Sequence, residues 1–183
     1  MDRTSRVLVG YATAGGSTES IAERIAGVLR DAGLTVICRP VGPDLDPGTF
    51  DAVVLGSAVH NMAWLQPAVD FLSRFPAGPA PSLWGFSVGG LAHPERTRFS
   101  RWLAGSELHK IEQRFPGGRR PRDHRMFAGI VDLRQVPLWG RLFFRAAGGR
   151  SGDQRDWPAV EAWATEIANR VGVLRAPAES DRT

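Results

Sequence analysis

The sequence has one cysteine, Cys38, in 183 residues. A lone cysteine cannot form an internal disulfide, a CxxC redox pair or a cysteine-ligated metal cluster, so we predict no metal site. No segment approaches the roughly 20 consecutive apolar residues that a membrane-spanning helix needs. The single thiol fits a reducing compartment, and we predict a cytoplasmic protein whose redox chemistry, if any, depends on a bound cofactor.

Lysine is nearly absent, because Lys110 is the one lysine among 23 basic residues. The net charge of +4 is unevenly distributed: residues 93–155 carry 14 basic and 6 acidic groups, whereas the segments on either side are each slightly acidic. Such a basic segment could face phosphates, acidic lipid headgroups or a carboxylated substrate, and a solvated arginine-rich surface is the alternative. The arginines come with no recognition motif and no aromatic stacking platform, so we predict no nucleic-acid partner.

Short apolar runs alternate with segments of helical periodicity. This alternation favours an α/β fold with a mostly parallel, doubly wound sheet and helices on both faces. We expect a single domain over residues 1–175, with a basic, aromatic-rich elaboration at about 93–155 and a flexible tail at 176–183. Strands are predicted at residues 6–12, 34–39, 51–57, 82–88 and 125–132, and helices at 18–32, 65–75 and from about 156 onwards.

A loop of small and hydroxylic residues joins the first strand to the first helix: Thr13, Ala14, Gly15, Gly16, Ser17 and Thr18. Its backbone N–H groups and the helix N-terminus can bind an anion. The loop contains no lysine or arginine, which argues against a Walker-type nucleotide site, and a dinucleotide fingerprint is also missing. An ordinary turn rich in small residues is the alternative.

This loop, followed by the helix TESIAERIAGVL, resembles the phosphate-binding motif of flavodoxins. The resemblance implies a flavodoxin-like five-stranded parallel sheet of order 2-1-3-4-5 and a bound FMN whose phosphate lies in residues 13–18. Gly15 stands where many flavodoxins have threonine, so one hydroxyl is lost and backbone donors carry more of the binding.

Two further loops at the same edge of the sheet are then expected to contact the flavin ring. Trp64 could stack on the ring or pack in the core. His60 and His93 are catalytic candidates because histidine can transfer protons near neutral pH, and a structural or surface role is the alternative for each. The predicted flavin contacts are Ala58, Val59, His60, Asn61, Met62 and Trp64 after strand three, and Ser87, Val88, Gly89, Gly90 and Leu91 after strand four.

Across nearly its whole length the sequence resembles the flavodoxin-like, menaquinone-dependent protoporphyrinogen oxidase (dehydrogenase) family. The phosphate loop and residues 56–72, 86–92 and 127–168 carry the resemblance. It implies an FMN-dependent enzyme that oxidises protoporphyrinogen IX to protoporphyrin IX and passes the electrons to a quinone. An electron-transfer flavodoxin that docks to a partner protein, or a flavoenzyme of specialised biosynthesis with another substrate, are the alternatives.

Residues 137–150 interleave aromatic and aliphatic side chains with arginines. This pattern suits an anionic membrane surface, a pocket for substrate carboxylates, or a helix packed on its own domain. The prediction therefore includes peripheral association with the inner face of the membrane, and it leaves a homodimer open. The predicted contacts of this segment are Arg134, Trp139, Arg141, Arg145 and Arg150.

Overall fold

A parallel sheet lies at the centre of the computed structural model, which describes residues 5–76, 78–89, 108–131 and 152–175. The helical residues 108–112 are labelled α3. The elements in chain order are β1 (Arg6–Ala12), α1 (Ser17–Asp31), β2 (Thr35–Pro40), β3 (Ala52–His60), β4 (Ala63–Trp64), α2 (Gln66–Ser73), β5 (Ser82–Val88), α3, β6 (His124–Phe127), β7 (Ile130–Val131), β8 (Gly152–Asp153) and α4 (Trp157–Arg175).

The five parallel strands run in the order β2-β1-β3-β5-β6. This is the predicted order 2-1-3-4-5, and the prediction of a flavodoxin-like α/β sheet is confirmed. The register pairs Ala12 with Ser57, and Ala58 with Val88. The loops that follow β1, β3 and β5 therefore meet at one edge of the sheet, where parallel α/β sheets bind their ligands.

Helices cover both faces of the sheet, as predicted. On one face α1 buries Ile21, Ile25 and Leu29 without exposed surface, and α4 packs beside it through Trp163 and Ile167. On the other face α2 contributes Phe71 and Leu72 to a second core cluster, which Ile111 of α3 joins. Spacings of three and four residues place each of these sets on one side of its helix.

The predicted fifth strand, residues 125–132, is wrong in its second half. β6 ends at Phe127, and the chain then leaves the sheet, because Ile130 and Val131 pair antiparallel with Asp153 and Gly152. The backbone of Gly129 lies so close to the phosphate loop that an added Cβ would be 3.3 Å from the Ser17 side chain. The two short strands β7 and β8 form a separate ribbon beside this loop.

The predicted end of the third strand, at Ser57, is also wrong. β3 continues to His60 and folds back into β4, so the expected loop is a β-hairpin with Asn61 and Met62 at its tip. The extension forms because His60 pairs with Ala63 and Val59 with Trp64. The helix predicted at residues 65–75 is shorter and spans Gln66–Ser73.

Candidate functional site

The phosphate loop enters α1 through a left-handed glycine. Gly16 has φ 84°, and its N–H donates to the Thr13 hydroxyl at 2.9 Å. A residue with a side chain is strained in this conformation, so glycine is the residue that the turn requires. α1 has no side-chain cap. The N–H groups of its first turn, at Ser17, Thr18 and Glu19, are therefore available to an anion at the positive end of the helix dipole.

Thr18 adds a second feature to this loop. The residue is 1% exposed, and its Oγ1 has no hydrogen-bond partner. A buried hydroxyl without a partner costs about 1–3 kcal/mol, so it calls for a physical explanation, and a bound ion is one of these. An anion seated on the first turn of α1 would supply the missing acceptor.

The ribbon of β7 and β8 is attached to the phosphate loop. The N–H of Ile130 donates to the Ser17 hydroxyl at 3.0 Å. Just after β8, the Arg155 Nη1 donates to the Ser20 hydroxyl at 2.6 Å. Ser20 in turn donates to the carbonyl of Ser17 at 2.9 Å. Ile130 of β7 and Arg155, which follows β8, thus brace the first turn of α1.

Arg155 is held in place on three sides. Asp153 accepts from its Nε at 2.8 Å and from its Nη2 at 2.6 Å, and its guanidinium lies 4.6 Å from the centroid of the Trp157 ring. The hydrogen bonds from Arg155 lower the pKa of Asp153 to about 2. No basic residue lies within the loop itself, but Arg155 places a guanidinium beside the first turn of α1. The sequence pattern did not predict this contact.

The hairpin after β3 has an unusual turn. Asn61 and Met62 both adopt left-handed conformations, with φ 51° and 57°. Two such residues form the turn that tight hairpins require, but methionine is strained there, and strain of this kind clusters at functional sites. Arg114 donates to the Asn61 carbonyl at 3.3 Å and supports the tip from outside. The hairpin therefore has a fixed conformation at the edge of the sheet where the loops after β1, β3 and β5 meet.

Two buried serines fix the base of the hairpin. Ser57 and Ser87 are register partners on β3 and β5, and neither has exposed surface. The Ser57 hydroxyl accepts from the N–H of Leu65 at 2.9 Å, and the Ser87 hydroxyl accepts from the Trp64 indole at 2.7 Å. Trp64 is 6% exposed, and the centroid of its ring lies 4.5 Å from that of the Phe115 ring. Of the two roles considered for Trp64, the structure shows the core position.

Behind Ser87 lies a hydrogen-bonded chain of polar groups. Ser87 Oγ is 3.0 Å from His124 Nε2, and His124 Nδ1 is 2.9 Å from Glu112 Oε1. A neutral His124 that donates from Nδ1 to the carboxylate accepts the serine proton at Nε2, so every donor has an acceptor. This is the order of groups that activates serine in hydrolases, but Ser87 has no exposed surface, so the chain supports the hairpin instead.

Glu112 makes this support dependent on pH. The hydrogen bond from His124 lowers the pKa of Glu112 below its ordinary value of 4.5, against the opposing effect of burial. Because the pKa of Glu112 is lower in the folded state than in the unfolded state, the ionised carboxylate stabilises the fold at pH values above its unfolded-state pKa. This stabilisation is lost as the pH falls through the folded-state pKa. We expect Glu112→Gln to reduce the free energy of unfolding at pH 7 by about 1 kcal/mol and the difference to vanish in acid. Urea unfolding from pH 7 to pH 3 measures it.

The matched control is Glu166→Gln, which removes an exposed carboxylate 3.4 Å from Arg125. Exposed pairs of this kind contribute little, so no pH-dependent difference is expected. A Glu112→Gln difference that stayed constant from pH 7 to pH 3 would contradict an ionic role for Glu112.

The remaining predicted positions are distributed as follows. Gly89 has φ 139°, and its N–H donates to the Phe127 carbonyl at 3.2 Å. A Cβ added at Gly89 would lie 3.6 Å from Val59, so the hairpin and the end of β5 are in contact. His60 is exposed at the end of β3. The predicted residues Gly90, Leu91, His93, Arg134, Trp139, Arg141, Arg145 and Arg150 lie outside the described residues.

The family described as "Flavodoxin domain" matches residues 8–156. The chain belongs to this flavodoxin domain family. The match covers the phosphate loop, the hairpin, β1 from Leu8 onwards and the other four strands of the parallel sheet. No curated protein sequence matches the chain.

Solved flavodoxin structures have the same fold. A flavodoxin from Streptococcus pneumonia TIGR4 is similar with a TM-score of 0.53 at 16% identity, over 91% of this chain and 99% of that one. The rubredoxin oxygen:oxidoreductase from Desulfovibrio gigas is similar with a TM-score of 0.52 at 19% identity, over 96% of this chain. This chain spans 38% of the length of the oxidoreductase.

FMN is the cofactor that membership of the flavodoxin family implies. The phosphate loop fits it, because the first turn of α1 offers uncapped N–H groups and the buried Thr18 hydroxyl lacks an acceptor. In the part of the chain that the structure describes, no helix is long and apolar enough to cross a membrane. The family membership and the fit of the phosphate loop identify an FMN-binding protein of the flavodoxin fold.

Proposed function

We propose that this flavodoxin-family protein is an FMN-dependent dehydrogenase that oxidises an organic substrate carrying carboxylates, with protoporphyrinogen IX as the candidate and a quinone as acceptor. When bound, FMN would supply the two-electron acceptor that this oxidation needs. The chain's own residues hold the phosphate, cover the ring with the hairpin and place basic groups beside the site.

One observation supports an enzyme in particular. Residues 132–151 are bounded by β7 and β8, and the ribbon that these strands form is hydrogen-bonded to the phosphate loop through Ile130 and Arg155. This segment contains four arginines and one aspartate. A basic segment whose two flanking strands lie beside the phosphate loop suits the binding of an anionic substrate. The same segment is the proposed contact to an anionic membrane surface, where a quinone would be reached.

Anaerobic stopped-flow mixing of the FMN-loaded protein with protoporphyrinogen IX tests this function. One FMN takes up two of the six electrons, so we expect the flavin absorption to bleach first. Porphyrin fluorescence should rise only with at least three FMN-loaded proteins per porphyrinogen, or with added quinone, which also restores the oxidised flavin. Arg141→Gln combined with Arg145→Gln should raise KM with little change in kcat, because these arginines would bind carboxylates in ground and transition states alike. The control is Arg30→Gln on α1, which removes an exposed charge on a different element.

The second candidate is an electron-transfer flavodoxin. Flavodoxins of nearly the same length share the fold, including one associated with a bacterial microcompartment, over 92% of this chain and 98% of that one with a TM-score of 0.55 at 12% identity. In that case the flavin would be reduced only in the presence of a reductase protein, and porphyrinogen alone would leave it oxidised. That outcome would reject protoporphyrinogen IX as the substrate and support the carrier.

A further inference from the structure

A second cavity lies at the opposite edge of the sheet from the phosphate loop. It has a volume of about 320 Å³ and opens between the end of α2, the start of β5 and the loop before β6. Ser82 and Leu83, at the start of β5, form part of its lining. The loops that would hold FMN follow the other end of the same strand, about 20 Å away at 3.3 Å per residue. The cavity is therefore separate from the cofactor site.

Three arginines line this cavity: Arg119, Arg120 and Arg122. The other lining residues are apolar, apart from Ser82, and none is acidic. Within the described ranges none of the three arginines forms an ion pair with a carboxylate. Arg120 acts on Glu112 only at longer range, where it helps lower the pKa of that carboxyl. The cavity thus concentrates positive charge that no carboxylate of the described residues pairs with.

Arg119 is held rigidly in this lining. Its Nη2 donates to the carbonyls of Phe75 and Pro76 at 2.9 and 2.8 Å, and its guanidinium lies 5.2 Å from the centroid of the Phe75 ring. These bonds use two of the five N–H groups of the guanidinium and leave three for a ligand. The backbone of Arg122 is fixed as well, because its N–H donates to the Leu83 carbonyl at 2.7 Å. Rigid donors lose less conformational entropy when a ligand binds.

We propose that this arginine cavity binds a small organic anion, with phosphate or paired carboxylate groups against the guanidinium groups and a compact apolar part against Phe75 and Leu83. Guanidinium groups match the oxygen spacing of both anions in bidentate geometry. Its volume is at the lower end of the range for small-molecule sites, roughly 300–1,000 Å³. The site is independent of the proposed dehydrogenase activity, since it lies at the other edge of the sheet.

The test is isothermal titration of the FMN-loaded protein with two probes, pyrophosphate and citrate, each against sodium chloride of equal ionic strength. We expect saturable binding of at least one probe, and each of Arg120→Gln and Arg122→Gln to weaken it about tenfold, because a charge-assisted hydrogen bond is lost. Arg30→Gln removes an equal charge elsewhere and should leave the affinity unchanged. Pyrophosphate binding alone indicates a phosphorylated ligand, and citrate binding alone indicates a carboxylated one.

Two results would overturn the proposal. Titration heats that change with ionic strength but not with the probe would show screening rather than a binding site. Weakening of probe binding by Arg30→Gln to the same extent as by the cavity variants would show a response to net charge. The titration is repeated without FMN, so that the phosphate loop is also open to the probes. Binding of a probe in the phosphate loop would not be weakened by Arg120→Gln or Arg122→Gln, whereas binding in the arginine cavity would be. Failure of the arginine cavity is in this way distinguishable from failure of FMN binding.

Discussion

Gly56→Ala is expected to lower the free energy of unfolding by about 3 kcal/mol, the upper range for overpacking a core. A Cβ at this position would lie 2.0–2.4 Å from three ring atoms of Phe86. Phe86 has no exposed surface and is itself packed against Phe127 and Trp163, so its ring cannot move aside without disturbing both. Urea unfolding of the FMN-free variant measures the loss.

Two companion variants test the cause. Gly27→Ala lies within α1, where an added Cβ would meet nothing within 4 Å, so it should stabilise the protein by about 0.5–1 kcal/mol. Combining Gly56→Ala with Phe86→Leu should cost at least 1 kcal/mol less than the sum of the single changes, because the smaller side chain makes room for the methyl group. Strict additivity would contradict a steric clash with Phe86.

The second large effect concerns Thr18, for which stability and cofactor affinity should change in opposite directions. Thr18→Val removes a buried hydroxyl that has no partner, so the FMN-free protein should become about 1 kcal/mol more stable. The same change removes a donor to the phosphate, and FMN should bind about 10- to 100-fold more weakly, since a hydrogen bond to a charged group contributes about 1.5–3 kcal/mol. Thermal unfolding and fluorescence titration with FMN provide the two readouts.

Thr18→Ser is the matched control. It keeps the hydroxyl and loses one buried methyl group, so FMN affinity should stay close to that of the parent protein while the fold loses about 1 kcal/mol. Thr18→Val therefore raises stability and weakens FMN binding, whereas Thr18→Ser lowers stability and leaves FMN binding close to that of the parent protein. Equal FMN affinities in Thr18→Val and Thr18→Ser would remove Thr18 from the phosphate site.

The central sheet and the phosphate loop were predictable because their signals are local. The apolar run of β1, the glycines after it and the helical spacing of Ile21, Ile25 and Leu29 lie next to one another in the sequence. Each of these three signals specifies its own element without contacts to distant residues, and sequence patterns are most reliable when local and global preferences agree.

The ribbon and the hairpin support were not predictable for the opposite reason. The apolar run continues through Ile130 and Val131, but these residues pair with Asp153 and Gly152, and Ile130 donates to Ser17, 113 residues earlier. The chain from Trp64 through Ser87 and His124 to Glu112 joins four separate elements, and no spacing in the sequence connects them. Their roles depend on tertiary packing.

The central claim is that residues 13–18 hold the phosphate of FMN, and the most direct test compares the affinities of FMN and riboflavin. The two ligands share the ring and differ in the phosphate. Free N–H groups on the first turn of α1 and the Thr18 hydroxyl should make FMN bind at least 100-fold more tightly, a preference that Thr18→Val reduces. Equal affinities for FMN and riboflavin in the parent protein would contradict the account.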